Sequence, residues 1–225
     1  MRAKHKPYRW SKKLAYAVGL ITTDGSLSKD GRHFDFTSKD LEQIENFCKC
    51  LDLHVKIGKK NSGSNRNKIY FHVQFGDVIL YKFLNKIGLT SNKTKTVSII
   101  NIPDKYFIDF LRGHLDGDGC TYSYWDPRWK SSFMLYTVFS SASIEHLTWL
   151  KEQIRRLYDL EGKINYQGKS TYTLKYAKKS SELLLKKIYY NKNLICLSRK
   201  LLKINQSLGI IHKEAGVEKL VNSLP

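Results

Sequence analysis

The sequence contains one plan twice, and this confines the chain to folds that two like halves can build. Residues 14–27 read LAYAVGLITTDGSL and residues 107–122 read FIDFLRGHLDGDGCTY; each is an apolar helical run ending in a glycine-flanked acid. Aligning Gly19 with Gly113 sets Asp24 on Asp118 and Gly25 on Gly119. The correspondence continues downstream. FDFTSKDLEQIENFCKCL (34–51) matches TVFSSASIEHLTWLKEQI (137–154): a strand end, then Ser-rich capping chemistry, then an amphipathic helix. Basic stretches of alternating character follow at 54–75 and 162–177, and DVILYKFLNKIG and SSELLLKKIYYN close the two copies.

Each half therefore reads helix, two strands, helix, two strands, helix, with a short helix at SRKLLKINQSL ending the chain. The expected fold is α+β, a duplicated αββαββα, with the first repeat at 1–100 and the second at 101–225. In YFHVQF, Phe71, Val73 and Phe75 are expected to face a helix layer while Tyr70, His72 and Gln74 face outward. Helices then dress one face of each sheet, and the other face is left polar.

The ligand of that face is indicated by charge. Thirty-nine basic against 20 acidic residues leave +19, spread along the whole chain. Such an excess exceeds what solubility needs and fits a polyanion-binding surface. No apolar run approaches the roughly 20 residues of a membrane span, and no signal peptide is expected, so nucleic acid is favoured over membrane. The four cysteines form no CxxC pair and the seven histidines no HxxxH or HxE pattern, so a structural zinc site is not expected. The thiols read as reduced, in an intracellular protein of the cytoplasm or an organelle matrix that is not secreted.

Acids at the end of an apolar helix oppose the negative end of its dipole, so Asp116 and Asp118 call for a positive partner. An EF-hand starting at Asp116 fails twice, at Cys120 and Thr121, where an acid and a glycine are required. A plain acidic turn accounts for one DGDG but not for its repetition at Asp24-Gly25.

The two segments resemble the paired signature of LAGLIDADG homing endonucleases in their single-chain, two-motif form, and the similarity covers roughly residues 8–208. Residues 111–119 (LRGHLDGDG) are close to the family pattern. Residues 17–25 (AVGLITTDG) replace the earlier acid with Thr22 and retain the later one, Asp24, which the family uses for catalysis. The resemblance implies two saddle-shaped antiparallel sheets related by a pseudo-twofold axis, with the motif helices packed side by side through Gly19 and Gly113. Asp24 and Asp118 would emerge together and repel unless a cation sits between them. That cation is expected to be Mg²⁺, with Mn²⁺ substituting and Ca²⁺ binding without supporting cleavage; the carbonyls of Thr23 and Gly117 would complete the shell.

By the same resemblance, Lys93 and Lys200 stand near the metal site, and Ser38 and Ser141 where the family often places a water-organising side chain. Each lysine also reads as one surface lysine among many, and each serine as an N-cap. The implied function is a monomeric, site-specific double-strand DNA endonuclease, intron-encoded, with a long asymmetric target and short 3′ overhangs. Base readout is expected from the outward strand residues Arg32, His33, Lys56, Tyr70, His72, Gln74, Asn165, Gln167, Thr173 and Lys175. The loop at 58–68 adds basic reach. An RNA maturase assisting intron splicing and a non-catalytic DNA-binding regulator are the alternatives, both disfavoured by retention of the two aspartates. An intein is not expected, because the chain starts Met-Arg-Ala-Lys and ends Asn-Ser-Leu-Pro.

Overall fold

The computed structural model describes residues 7–61, 69–129, 132–168 and 170–221, with the last eleven of these described as helix backbone only. The first half runs α1 (Lys12–Asp24), β1 (Gly25–Leu27), β2 (His33–Ser38), α2 (Leu41–Leu51), β3 (Gly58–Asn61), β4 (Ile69–Gly76) and α3 (Val78–Lys86). A single turn, α4 (Lys93–Thr96), leads to the second half. There follow α5 (Asp104–Asp116), β5 (Cys120–Trp125), β6 (Phe133–Ser141), α6 (Ile144–Tyr158), β7 (Lys163–Tyr166), β8 (Tyr172–Tyr176), α7 (Lys178–Ile188) and α8 (Ser198–Val221). The α+β plan read from the sequence is the observed one. The last helix is the exception: it extends well beyond the short segment expected at 198–208.

The two sheets are antiparallel and topologically identical, ordered β1-β2-β4-β3 and β5-β6-β8-β7. Even the helix ends repeat. Asp52 and Asp159, both in the left-handed region with φ of 54°, return their N–H groups to Cys48 and Arg155 and so terminate α2 and α6 alike.

Strand parity follows the pleat. In β2, Phe34 and Phe36 are buried between partly exposed His33, Asp35 and Thr37, and in β4 Val73 and Phe75 are buried while Gln74 is exposed. In β8, Leu174 and Tyr176 are buried on the helix side while Thr173 and Lys175 face away.

The core is organised around α1 and α5. Their contact is too close for any side chain: a Cβ on Gly19 would lie 2.2 Å from the Phe110 carbonyl oxygen, and one on Gly113 would lie 2.1 Å from that of Tyr16. Two glycines thus let the backbones touch. Tyr16, Leu20, Phe110 and Leu111 are buried around the seam, so both helix C-termini are delivered to one place. Among the described residues no helix is long and apolar enough to cross a membrane.

Candidate functional site

Asp24 is the last residue of α1, and Asp118 lies two residues beyond the end of α5. The chain is tight here. A Cβ on Gly117 would stand 1.9 Å from Thr23 Oγ1 and 2.9 Å from Asp24 Oδ2, so the second motif's turn rests directly on the first motif's acid. Burial and then the charge of Asp118 push the Asp24 carboxyl up to about 6. Burial likewise raises Asp118, against the lowering pull of Lys93 and Lys200.

Gln43 of α2, a residue the sequence reading missed, fixes the orientation of Asp24. Its Nε2 donates to Asp24 Oδ2 at 3.1 Å and to the Asp116 carbonyl at 3.4 Å, while Ser38 Oγ donates to Gln43 Oε1 at 2.7 Å. Thr23 Oγ1 stands 3.3 Å from the same oxygen and shares its one proton with the nearer Leu20 carbonyl at 3.0 Å. Every hydrogen bond to this carboxylate among the described residues thus falls on Oδ2, which leaves Oδ1 for another ligand. A signal for Gln43 was present: it is a polar residue in the buried stripe of α2, beside Ile44 and Phe47.

Ser38 reaches the centre through Gln43. Ser141 does not. The counterpart of Gln43 is His146, whose Nε2 meets His114 Nε2 at 3.1 Å and whose Nδ1 meets the Ser98 carbonyl at 2.9 Å. Neither serine is an N-cap, since Asp40 and Ser143 hold those positions; the two hydroxyls accept the N–H groups of these caps instead.

Lys93 and Lys200 are not surface lysines. Lys93 is buried and its Nζ donates to the carbonyls of Thr22 (2.8 Å) and Thr23 (3.2 Å) at the end of α1. Lys200 Nζ sits 2.7–3.1 Å from those of Leu115, Asp116, Gly117 and Gly119 around the end of α5, four acceptors sharing its three protons. Each neutralises the negative pole of one motif helix. Burial lowers Lys93 to about 8, opposed by Asp118 and Asp24, and burial also lowers Lys200.

Asp116 belongs to the scaffold, so it does not need the cation that its place in the motif suggested. Its Oδ2 accepts from Tyr16 Oη (2.8 Å) and the Leu197 N–H (2.8 Å), and Oδ1 accepts from Tyr189 Oη at 3.4 Å. At the equivalent position Thr22 returns its hydroxyl to the Val18 carbonyl.

The donors that face one another here suit a hard divalent cation. Asp118 is near enough for its charge to act on Asp24, no hydrogen bond among the described residues falls on Asp24 Oδ1, and the Thr23 and Gly117 carbonyls keep a second lone pair beyond the lysine contacts. No cluster of three His, Cys, Asp or Glu side chains that could hold a metal occurs among the described residues, so the protein offers two carboxylates and no closed cage. That is the way Mg²⁺ is commonly held, with water and phosphate completing its octahedron.

The outward sheet faces carry the residues named for base readout. His33, Tyr70, His72, Gln74, Asn165, Thr173 and Lys175 occupy that parity, and Gln167, just past β7, donates to Thr173 Oγ1 at 3.0 Å. Arg32 stands in the turn before β2 and Lys56 in the segment before β3, so neither is a strand residue. Of the loop at 58–68, residues 62–68 lie outside the described residues.

The two faces differ. Asp35 centres the first, accepting from Gln74 Nε2 (2.7 Å), Thr37 Oγ1 (2.7 Å) and Lys60 Nζ (3.4 Å). Tyr122, Tyr124 and Tyr136 line the second, with Lys175 Nζ 3.8 Å from the Tyr136 ring centre and 5.3 Å from that of Tyr122.

The architecture is similar to that of the homing endonuclease I-WcaI bound to its DNA recognition sequence, with TM-score 0.61 and 18% identity over 86% of each chain. It is similar to the LAGLIDADG meganuclease I-AabMI bound to uncleaved DNA, with TM-score 0.61 and 16% identity over 92% of this chain and 96% of that one. Full-length DUF199/WhiA from Thermatoga maritima is also similar, with TM-score 0.56 and 17% identity over 97% of this chain and 71% of that one. No protein-family model and no curated protein sequence matches the chain. At these identities the likeness establishes the fold, which is that of the single-chain LAGLIDADG homing endonucleases.

Proposed function

We propose that the chain is a monomeric, site-specific endonuclease that cuts both strands of double-stranded DNA at a long asymmetric target and leaves short 3′ overhangs. The observation that carries this is the pair Asp24 and Asp118, brought together by two motif helices whose glycines permit backbone contact. A DNA-binding scaffold gains nothing from two partly buried acids facing a polyanion. A phosphodiester hydrolase needs them.

Asp24 and Asp118, with the carbonyls of Thr23 and Gly117, would hold Mg²⁺, which when bound would lower the pKa of a coordinated water and offset charge on the leaving oxygen. The chain's own residues prepare the site. Gln43 and Thr23 hold one oxygen of Asp24, so that Oδ1 keeps a fixed direction. Lys93 and Lys200 place positive charge beside the carboxylates without blocking them, and this charge would favour an incoming phosphate. The +19 surface and the polar sheet faces would hold the duplex along adjacent major-groove segments, Asp35 and Lys175 giving the two halves different chemistry and so an asymmetric site.

A DNA-binding regulator that does not cut is the second reading. It is favoured by one feature: both lysines spend their donors on backbone carbonyls, which is helix capping and requires no reaction. Selection of cleavable sequences from a randomised duplex library with Mg²⁺ separates the two. A recovered target with double-strand breaks supports the nuclease, and binding enrichment without breaks supports the regulator.

A further inference from the structure

We infer that a second anion subsite lies beside the carboxylate pair, between β5 and the first turns of α8, and that it takes a phosphate group. A cavity of about 110 Å³ there is lined by Cys120, Thr121, Arg199, Lys200 and Lys203, three cations and no carboxylate. Its volume exceeds that of several waters and suits one tetrahedral oxyanion. The inference deepens the proposed function, and only the source of the phosphate, a backbone phosphodiester of the bound duplex, rests on that reading.

Two independent features point to a ligand. The first is the charge cluster. Asp40 satisfies Arg199 through Nε (3.0 Å) and Nη2 (2.7 Å), which leaves the other terminal nitrogen of the guanidinium. Lys200 adds charge while its donors stay on the motif carbonyls, and the exposed Lys203 has no ion pair among the described residues. Asp40 compensates Arg199 and Asp116 compensates Lys200 in part, so Lys203 leaves a net positive charge at the cavity that an anion there would offset.

The second feature is the Thr121 hydroxyl. Thr121 is 9% exposed, and its Oγ1 is buried with no hydrogen-bond partner among the described residues. A buried hydroxyl without a partner is costly, and an oxyanion in this cavity would accept its proton. Lys200 belongs to both places, so a phosphate held here would register its strand against the carboxylate pair.

Cys120 supplies the test, because its exposed thiol lies at the cavity while Cys50 and Cys196 are buried. The alkylation rate of Cys120 by iodoacetamide would be measured by peptide mass spectrometry on the full chain in EDTA. Inorganic phosphate would be compared with chloride at matched ionic strength, and then with a saturating DNA duplex. Phosphate should slow Cys120 severalfold, by the factor 1 + [phosphate]/Kd, and leave Cys48 unchanged. The duplex should slow it further. Lys203→Gln and Thr121→Val should each remove most of the phosphate protection, with unchanged circular dichroism showing that the fold is intact.

Equal rates in phosphate and chloride would overturn the subsite, as would full protection in folded Lys203→Gln. Protection by phosphate but not by the duplex would overturn the backbone as its source. A protein that shows both protections yet never cuts DNA would leave the subsite standing and contradict the proposed function alone.

Discussion

Tyr16 of α1 donates its hydroxyl to Asp116 of α5 at 2.8 Å, across the seam between the two halves. The same carboxylate oxygen accepts the Leu197 N–H, so one buried acid ties both motif helices to the segment that carries Lys200. Tyr16→Phe removes one donor from this carboxylate and should cost about 1–3 kcal/mol of stability. Urea unfolding of the two proteins reads this directly, and an unchanged midpoint would remove Asp116 from the scaffold.

The glycine seam gives a larger effect. Gly113→Ala places a methyl 2.1 Å from the Tyr16 carbonyl oxygen, and backbone cannot rotate away as a side chain can. Overpacking of this kind costs about 1–3 kcal/mol, and more where the neighbour is rigid, so the variant should melt well below the parent or fail to fold. Gly31→Ala is the control for alanine in place of glycine at a site with nothing within 4 Å, although its φ of 78° adds backbone strain. A Gly113→Ala protein as stable as the parent would mean that the helices do not touch as described.

Asp24 gives a pH dependence. Its carboxyl titrates near 6 in the native protein against 3.8 as a free side chain, because burial and Asp118 disfavour its charge. The native state therefore holds a proton that the unfolded chain has lost, and stability falls as pH rises from about 4 through 6. Asp24→Asn lacks this loss. In metal-free buffer its advantage in thermal stability should be near zero at pH 4 and grow to a plateau of about 3 kcal/mol above pH 7. A gap that does not change with pH would show that Asp24 is not destabilised by its surroundings.

Much of this was legible in the sequence because it repeats. Gly19 with Gly113 and Asp24 with Asp118 fixed the pairing of the halves, and strand parity put Gln74, Thr173 and Lys175 outward. What escaped was side-chain traffic between segments distant in the chain. Gln43 meets Asp24 only through the packing of α2 against α1. Asp116 looks like a cation ligand in DGDG, and is shown to be structural only when Tyr16 and Leu197 arrive from elsewhere. Lys93 and Lys200 stood among many lysines; the free carbonyls at the ends of α1 and α5 are what single them out. Tyr122, Tyr124 and Tyr136 went unnamed because outward residues of the second half were sought only in the basic stretch at 162–177, and these rings stand earlier, on β5 and β6.

Those rings make Lys175 a test of the sheet face. Lys175→Ala removes a cation held over Tyr136 and Tyr122, and it should weaken duplex binding while lowering the slope of log K against log salt by about 1. The cleavage rate at saturating enzyme should hold. Lost cleavage with intact affinity would place Lys175 in the chemistry instead of on the binding face.

On the proposed function, Asp24 and Asp118 together hold the cation that cuts. The direct measurement is conversion of supercoiled plasmid bearing the selected target to nicked and linear forms, for the parent, Asp24→Asn and Asp118→Asn, in Mg²⁺ and in EDTA, beside a binding titration of each. The parent should linearise the plasmid in Mg²⁺ and leave it intact in EDTA. Each variant should bind the duplex as tightly as the parent or tighter and cut neither strand, with single-strand nicking as the most it retains. Full linearisation by either variant, or by the parent in EDTA, would contradict the claim.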